Sequence, residues 1–291
     1  MSTLPCPFPL EKVLACTDDS PASQGAGRVA LDLAQACGGR VLLLHVLEFF
    51  PYVEYPQPDA LGLPPPVAQD LLAWREQVAK EHLADWQSEA AQQGVELEGL
   101  LRVGGPAHSE IVAAGEELQP DLIIMGRRGK SGLERLLVGS VTARVIGHTP
   151  IKVMVAPRDT VLTFDRLLLA SDGSAASQAA CQEALNIAQK TGGHLTAVTA
   201  AHGDLDPKRA KDLVKQLAAE AKQRNVALAT LTPGGNPDEA VIQVALAKRT
   251  DLIIMGSHGR TGLKRLFLGS VAERVIGQAP CPVLVVKGKE G

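Results

Sequence analysis

The sequence predicts an α/β protein that contains two tandem, doubly wound, parallel five-stranded sheets of the flavodoxin/Rossmann-like type, with helices on both faces. Three observations lead to this prediction. The chain has 291 residues, which is enough for two domains of about 150 residues. Short apolar runs alternate with amphipathic helical patterns along its whole length. A long stretch of sequence also occurs twice.

The repeat is clearest at residues 121–147 and 251–277, which agree without a gap at 18 of 27 positions. Further towards the N-terminus, VLACTDDSPAS (residues 13–23) aligns with LLLASDGSAAS (residues 167–177). This alignment pairs Asp18 with Asp172 and Ser20 with Ser174. A repeat of this period indicates two whole domains rather than a solenoid, and we place them at residues 1–157 and 164–291.

Each half begins with a buried strand, at residues 13–16 in the first. Ser20-Pro21 is an N-cap followed by proline at the first helical position, and this helix should end at Gly38-Gly39. A second buried strand follows at residues 41–46 or 195–200, where His45 is expected to be a core histidine. The second helix should bury Leu72, Ala79, Leu83, Trp86 and Ala90 in the first half. In the second half its counterpart should start at Asp206-Pro207 and bury Leu213, Val214, Leu217 and Ala221.

Residues 95–101 alternate between apolar and charged side chains, as expected of an edge strand. A G-x-P turn, Gly104-Gly105-Pro106 or Gly235-Asn236-Pro237, then opens the third helix. The apolar run LIIM predicts a fourth strand buried on both faces. The fifth strand of each half lies at residues 151–155 and 283–286.

The halves differ most at residues 49–66, FFPYVEYPQPDALGLPPP, where the second half has only a short link. This segment holds six prolines and four of the nine aromatic residues. It is either a lid, a partner-binding surface or a stiff loop packed on itself.

Composition excludes several function classes. With 45% hydrophobic residues, 21% charged residues and a net charge of -3, the chain is neither a general nucleic-acid binder nor suited to an anionic membrane. No apolar run is long enough to span a bilayer. The five cysteines show no CxxC or metal-ligand spacing, which predicts reduced thiols in a cytosolic protein. The proline-rich N-terminus does not fit a signal peptide and is expected to be a disordered lead-in.

The fourth strand runs into a glycine pattern, G-x2-G-x9-G-S, formed by Gly256, Gly259 and Gly269-Ser270 and again by Gly126, Gly129 and Gly139-Ser140. In the second half, Ser270 to Glu273 form S-x-x-E, a predicted capping box. Glycines let backbone N–H groups approach a ligand, and a helix start carries unpaired donors and partial positive charge. The pattern therefore favours an anion such as phosphate. The alternative is that the glycines only turn the chain.

Strands one and four flank the switch point of a flavodoxin-like sheet, where ligands bind. Asp18 or Asp172 ends the first strand, and the glycine loop follows the fourth. A carboxylate opposite a phosphate-binding loop suits a nucleotide, because the carboxylate can accept hydrogen bonds from ribose hydroxyls.

With these motifs, the chain resembles the universal stress protein family in its tandem form and the family's ATP-binding branch. The resemblance covers residues 10–287. It implies a cytoplasmic, nucleotide-dependent stress-response protein that binds ATP, with Mg²⁺, and has no fast catalysis. It also implies that the two domains pair through their last strands, and a homodimer is possible. The implied binding residues of the first half are Cys16, Asp18, Val46, Met125, Gly126, Gly129, Gly139, Ser140 and Val141. Those of the second half are Ala170, Asp172, Ala200, Met255, Gly256, His258, Gly259, Gly269, Ser270 and Val271.

The halves depart from each other within the motif. The second half has Ser257-His258 in the loop where the first has Arg127-Arg128. These arginines either lie near the phosphates or belong to a solvated loop. The first half also has Asp19 where the second has Gly173, which adds a carboxylate beside the crevice.

Other functions fit less well. No G-x4-G-K-[ST] loop occurs, and no G-x-G-x-x-G follows the first strand, which argues against a P-loop ATPase and a nicotinamide-dependent dehydrogenase. Ser257-His258 has no orienting acid for a triad, and His194, His202 and Asp204 form only a weak metal alternative. Two alternatives stay open: a partner-binding scaffold that holds nucleotide as structural filler, and a slow ATPase or autophosphorylating protein.

Overall fold

The computed structural model describes residues 4–48, 65–129, 138–201, 205–259 and 268–288. In the first half the strands are β1 Lys12–Thr17, β2 Arg40–Glu48, β3 Leu97–Gly104, β4 Leu122–Gly126 and β5 Val153–Ala156, and the helices are α1 Pro21–Cys37, α2 Pro65–Gln92, α3 Ala107–Leu118 and α4 Ser140–His148. In the second half the strands are β6 Arg166–Ala170, β7 His194–Val198, β8 Leu228–Leu231, β9 Leu252–Gly256 and β10 Val283–Val286, and the helices are α5 Ala175–Thr191, α6 Pro207–Gln223, α7 Pro237–Lys248 and α8 Ser270–Gln278.

The ten strands of the described residues form one sheet, in the order β3-β2-β1-β4-β5-β10-β9-β6-β7-β8. Each half is parallel and doubly wound, so the predicted fold class is confirmed. The two five-stranded sheets join where β5 and β10 pair antiparallel, with Leu284 opposite Met154. The predicted edge strand, β3, is one of the two edges of this sheet.

Two apolar layers, one on each face of the sheet, hold the helices. One layer packs under α1, α2, α5 and α6, and the other under α3, α4, α7 and α8. Both layers continue from one half into the other. The LIIM runs of β4 and β9 are fully buried, since each side chain faces one layer or the other. Burial of this kind contributes about 25 cal/mol per Å² of apolar surface.

The helix starts agree with the sequence in part. The side chains of Ser20 and Asp206 cap α1 and α6 as predicted, and Gly38 ends α1 in the left-handed conformation. Ser174, which aligns with Ser20, caps α5 in the same way. The capping box at Ser270 is wrong. Gly269 is the N-cap of α8, its carbonyl accepts from the N–H of Glu273 at 2.9 Å, and Ser270 is already helical.

The second helices bury much of the predicted stripe. Ala79, Leu83, Trp86 and Ala90 of α2 are buried, and so are Leu217 and Ala221 of α6. Leu72, Leu213 and Val214 are only partly buried. Trp86 fills the space over Gly27, where a Cβ atom would lie 2.5 Å from the indole ring.

The N-terminal segment and its cysteine correct two predictions. Phe8 and Leu10 are buried in the core, so residues 4–11 are not a disordered lead-in. This packing places Cys6 next to the end of α1, where it forms a disulfide with Cys37. The prediction of five reduced thiols is therefore wrong, because the pairing depends on a long-range contact that leaves no spacing motif.

Two further predictions concern the segment 49–66 and membrane spans. The segment 49–66 lies almost wholly outside the described residues, since only Pro65 and Pro66 fall in α2 and nothing is described of their side chains. Among the described residues, no helix is both long and apolar enough to cross a membrane.

Candidate functional site

A cavity of about 440 Å³ opens at the carboxyl ends of β1 and β4, where the winding of the first half reverses. Its walls come from the ends of β1, β2 and β4, the glycine loop, the middle of α2, and the starts of α3 and α4. All nine residues predicted for the first half line this cavity: Cys16, Asp18, Val46, Met125, Gly126, Gly129, Gly139, Ser140 and Val141. The sheet topology thus brings together residues that are up to 125 positions apart, from Cys16 to Val141.

Asp18 faces the glycine loop. Its Oδ1 accepts from the N–H of Ser20 at 3.1 Å, which fixes the carboxylate at the start of α1. Its Oδ2 lies against Gly129, so closely that a Cβ atom there would clash with it. A side chain at position 129 would therefore displace the carboxylate across the crevice.

The second half repeats this arrangement. Asp172 Oδ1 accepts from the N–H of Ser174 at 3.0 Å, and a Cβ atom on Gly259 would lie 2.8 Å from Asp172 Oδ2. Ser174 Oγ also donates to the carbonyl of His258 at 3.3 Å. The described residues of this crevice thus hold a carboxylate and a glycine loop face to face, as in the first half.

The loops close onto the starts of α4 and α8. The N–H of Gly139 donates to the carbonyl of Arg127 at 2.9 Å, and that of Gly269 to the carbonyl of Ser257 at 3.0 Å. These two N–H groups are thus used within the protein. The next N–H groups, of Ser140 and Val141 and of Ser270 and Val271, begin helices, where the backbone supplies no intrahelical acceptor. An anion placed there would also meet the positive end of the helix dipole.

Packing accounts for one pair of the repeated glycines. A Cβ atom on Gly126 would lie 2.8 Å from the backbone of Ala22, and one on Gly256 would lie 2.7 Å from that of Ala176. These glycines let α1 and α5 pack against the ends of β4 and β9. They line the crevice, but helix–strand packing alone requires them to be glycine.

The two arginines of the first loop lie in different places, and Arg127 follows neither sequence alternative. Arg128 lines the cavity. Arg127 turns to the second half, where its guanidinium donates to the carbonyls of Gly277, at 3.3 Å, and Ala279, at the end of α8. Burial, and next the charge of Arg128, lower the pKa of Arg127. Arg127 is therefore a contact between the two halves.

Lys287 makes a matching contact in the other direction. Its Nζ donates to the carbonyl of Gly147, near the end of α4, at 3.4 Å. Burial lowers the pKa of Lys287 to about 8. Arg127 of the first half thus lies at the carboxyl end of α8, and Lys287 of the second half lies near the carboxyl end of α4. A cation at the carboxyl end of a helix complements the helix dipole.

The first cavity has a polar wall on its α2 side. Asp19, with φ 62°, lies 2.8 Å from His82 Nε2 and 3.6 Å from His45 Nδ1, both measured to Oδ1. Trp86 Nε1 donates to His82 Nε2 at 3.0 Å. Asp19 and His45 line the cavity, so His45 borders the site as well as the core.

Sequence reasoning missed His82, which contacts Asp19. It also missed Trp74 and Arg75, which line the cavity from α2. Trp74 is 63% exposed at the rim and belongs to a stripe of exposed apolar residues on that helix: Val67, Leu71, Trp74 and Val78. The only sequence signal for these α2 residues was that the alignment of the two halves breaks down in this region. α2 has 28 residues and α6 has 17, so the extra turns had no counterpart to align with.

The described residues offer no group of three or more His, Cys, Asp or Glu that could hold a metal ion. His202 and Asp204, the weak metal alternative with His194, lie outside the described residues. Burial raises the pKa of Cys16, at the cavity wall, to about 12, so this thiol is a poor nucleophile.

The model of the Universal stress protein family matches residues 9–157 and 163–287. A universal stress protein of Mycolicibacterium smegmatis is 27% identical over 295 residues, covering 94% of this chain and 96% of the relative. One from Mycobacterium tuberculosis (strain ATCC 25618 / H37Rv) is 28% identical over 304 residues, with coverage of 94% and 96%. The crystal structure of a universal stress protein from Archaeoglobus fulgidus DSM 4304 superposes with a TM-score of 0.74 at 26% identity, covering 96% of this chain and 99% of that one.

Proposed function

The chain belongs to the universal stress protein family, and on this premise we propose that it binds ATP, with Mg²⁺, once in each half. It acts as a nucleotide-dependent module of a cytoplasmic stress response without fast catalysis. The observation that carries this proposal is the carboxylate held against a glycine loop beside a helix start, built twice from the same residues.

Size and chemistry support a nucleotide as the ligand. The first cavity, at about 440 Å³, lies within the range of about 300–1,000 Å³ that is typical of small-molecule sites. Its loop side offers N–H donors at the start of α4 for phosphates. Asp18 offers a carboxylate for ribose hydroxyls, and the apolar residues Val46 and Met125 suit a base.

The second crevice would bind in the same way. Ser270, Val271, Gly259 and the loop backbone at His258 would surround the phosphates, and Asp172 would accept from the ribose. Ala170, Ala200 and Met255 would border the base. Magnesium would enter with the phosphates, since the described residues supply no metal cluster of their own.

A binding role fits these residues better than a catalytic one. The buried Cys16 thiol stays protonated at neutral pH, and Asp18 is held by the start of α1. Neither group is arranged as a general base beside a nucleophile.

The test measures binding of Mg-ATP to the full chain by titration calorimetry, with Asp18→Asn and Asp172→Asn as isosteric variants. Each removes the charge of one carboxylate while its shape remains. Charge-assisted hydrogen bonds contribute about 1.5–3 kcal/mol, so each variant should weaken one site by roughly 10- to 100-fold and leave the other unchanged.

Asp159→Asn, at a solvent-exposed position between the halves, is the matched control and should bind as the wild type does. Protein purified from cells and then denatured should also release adenine nucleotide. Wild type that releases none, and whose melting temperature does not respond to Mg-ATP, would contradict the proposal. Phosphate release that depends on Asp18 or Asp172 would instead support the slow-ATPase alternative.

A further inference from the structure

The N-terminal segment, residues 4–10, is fastened to the first half by a covalent bond. Cys6 forms a disulfide with Cys37, 31 positions away in the sequence, and the two Cα atoms are 4.9 Å apart. Cys37 is the last residue of α1, next to the left-handed cap Gly38. The second half has Thr191 at the position of Cys37, whose hydroxyl donates within its own helix, so the bond belongs to the first half alone.

The remaining thiols are poorly suited to redox chemistry. Cys16 and Cys281 are buried, and burial raises the pKa of each thiol to about 12. Burial also raises the pKa of Cys181. Because the thiolate is the form that attacks a disulfide, these three react slowly at neutral pH. Cys6 and Cys37, by contrast, are only partly buried.

The fastened segment borders the contact between the two halves. Phe8 is 3% exposed, and the Lys152 Nζ lies 3.8 Å from the centre of its ring. The same ammonium group lies 2.7 Å from Glu183 Oε1, on α5 of the second half. A change in how the segment is held therefore acts on a side chain that joins the halves.

We propose that Cys6–Cys37 is a reversible thiol–disulfide site that exchanges with low-molecular-weight thiols of the glutathione class. A thiolate attacks one sulfur, forms a mixed disulfide and releases the other cysteine as a thiolate. A second thiolate then attacks the mixed disulfide and releases the remaining cysteine. In total, Cys6 and Cys37 gain two electrons and two protons, and two small thiols become one small disulfide.

The oxidised and reduced chains differ in what holds residues 4–10. In the oxidised chain the bond and the packing of Phe8 and Leu10 act together. In the reduced chain the packing acts alone, so the segment detaches more often. Small disulfides such as oxidised glutathione reverse the reaction. The fraction of chains with an attached segment therefore depends on the ratio of reduced to oxidised thiols in the surroundings. This inference stands independently of nucleotide binding.

The first experiment equilibrates the native full chain in buffers of defined ratios of reduced to oxidised glutathione. Free thiols are then blocked by alkylation in denaturant and located by mass spectrometry. Three alkylated cysteines are expected in oxidising buffers and five in reducing ones, with Cys6 and Cys37 changing together. Five alkylated cysteines in every buffer would overturn the proposal, and so would a pair that stays oxidised in excess reduced glutathione.

The second experiment measures the consequence. Reduction of the wild type should lower its melting temperature by roughly 5 °C and speed proteolysis near the N-terminus. Cys37→Ser should show both effects without reductant and no response to it. Cys181→Ser, which keeps the bond, is the matched control and should respond as the wild type does. Equal proteolysis of oxidised and reduced wild type would contradict the coupling between the bond and the segment.

Discussion

Asp18 and Asp172 lie in the same place, each against a glycine of its loop, whereas the next residues, Asp19 and Gly173, meet different surroundings. Asp19 contacts His82 of α2. Gly173, in the left-handed conformation with φ 77°, lies under Leu213 of α6, which would clash with any Cβ atom at 2.8 Å. Counting back from Val95 and Val226, His82 corresponds to Leu213 and Trp86 to Leu217.

This difference divides each crevice into a shared side and a private side. The shared side, between the first strand and the glycine loop, keeps the carboxylate and the helix start in both halves. The private side, under α2 or α6, is polar and extended in the first half and apolar in the second. Residues that serve a common ligand are therefore expected on the shared side, and differences in preference between the two sites on the private side.

The largest effect should come from breaking the fit of Trp86 to Gly27. Gly27→Cys gives the first half the residue of the second half, Cys181, at this position. The new side chain would overlap the indole ring, so we expect a loss of about 2–3 kcal/mol in the free energy of unfolding. Trp86→Leu in the same chain should recover part of this loss, because it also supplies the second half's partner. Additive effects in the double-mutant cycle would show that the two positions do not interact.

The contact of Arg127 with α8 is the next test. Arg127→Ser supplies the residue of the second loop, Ser257, and removes two charge-assisted hydrogen bonds to carbonyls. We expect a loss of about 1–2 kcal/mol, measured by urea unfolding, and less cooperative unfolding of the two halves. Arg158→Ser, at an exposed position, is the matched control. Unchanged stability in Arg127→Ser would show that this guanidinium does not stabilise the contact between the halves.

Lys287, which joins the halves from the other side, should make the free energy of unfolding depend on pH. Its pKa is lowered to about 8 in the folded chain, below the ordinary 10.5 of the unfolded one. Between these values the unfolded state binds more protons, so stability rises with pH, and the cost of burying the charge is fully present below pH 8. Relative to Lys287→Met, the wild type should gain about 1–2 kcal/mol between pH 7.5 and 9.5. Parallel stability curves for the two proteins would contradict this.

The smallest expected effect is a change in ligand affinity from the private side of the first crevice. Asp19→Gly with His82→Leu gives the first half the residues of the second and removes a carboxylate from the cavity lining. A polyphosphate should then bind the first site roughly threefold to tenfold more tightly, because a like charge has been removed. Calorimetry in the Asp172→Asn background isolates the first site. Unchanged affinity would contradict a repulsive effect of Asp19 on the ligand.

Much of the shared side could be predicted from the sequence. Short apolar runs, helix caps and the glycine pattern are local signals, and the repeat showed which of them recur. The rule that parallel strands end at one edge then placed Asp18 and Gly129 in one crevice although they are 111 positions apart. The capping box failed because the same letters fit a helix that starts one residue earlier, and only backbone geometry separates the two.

The sequence by itself therefore determined the two-domain architecture, the strand order within each half and the residues of the shared crevice. Tertiary structure alone decided that Arg127 leaves the crevice for α8, that Cys6 meets Cys37, and that α2 brings His82 to Asp19 and Trp74 to the cavity rim. The physical reason is that each of these contacts joins side chains far apart in the chain. Such contacts depend on how elements pack, and a single sequence carries no periodic signal for them.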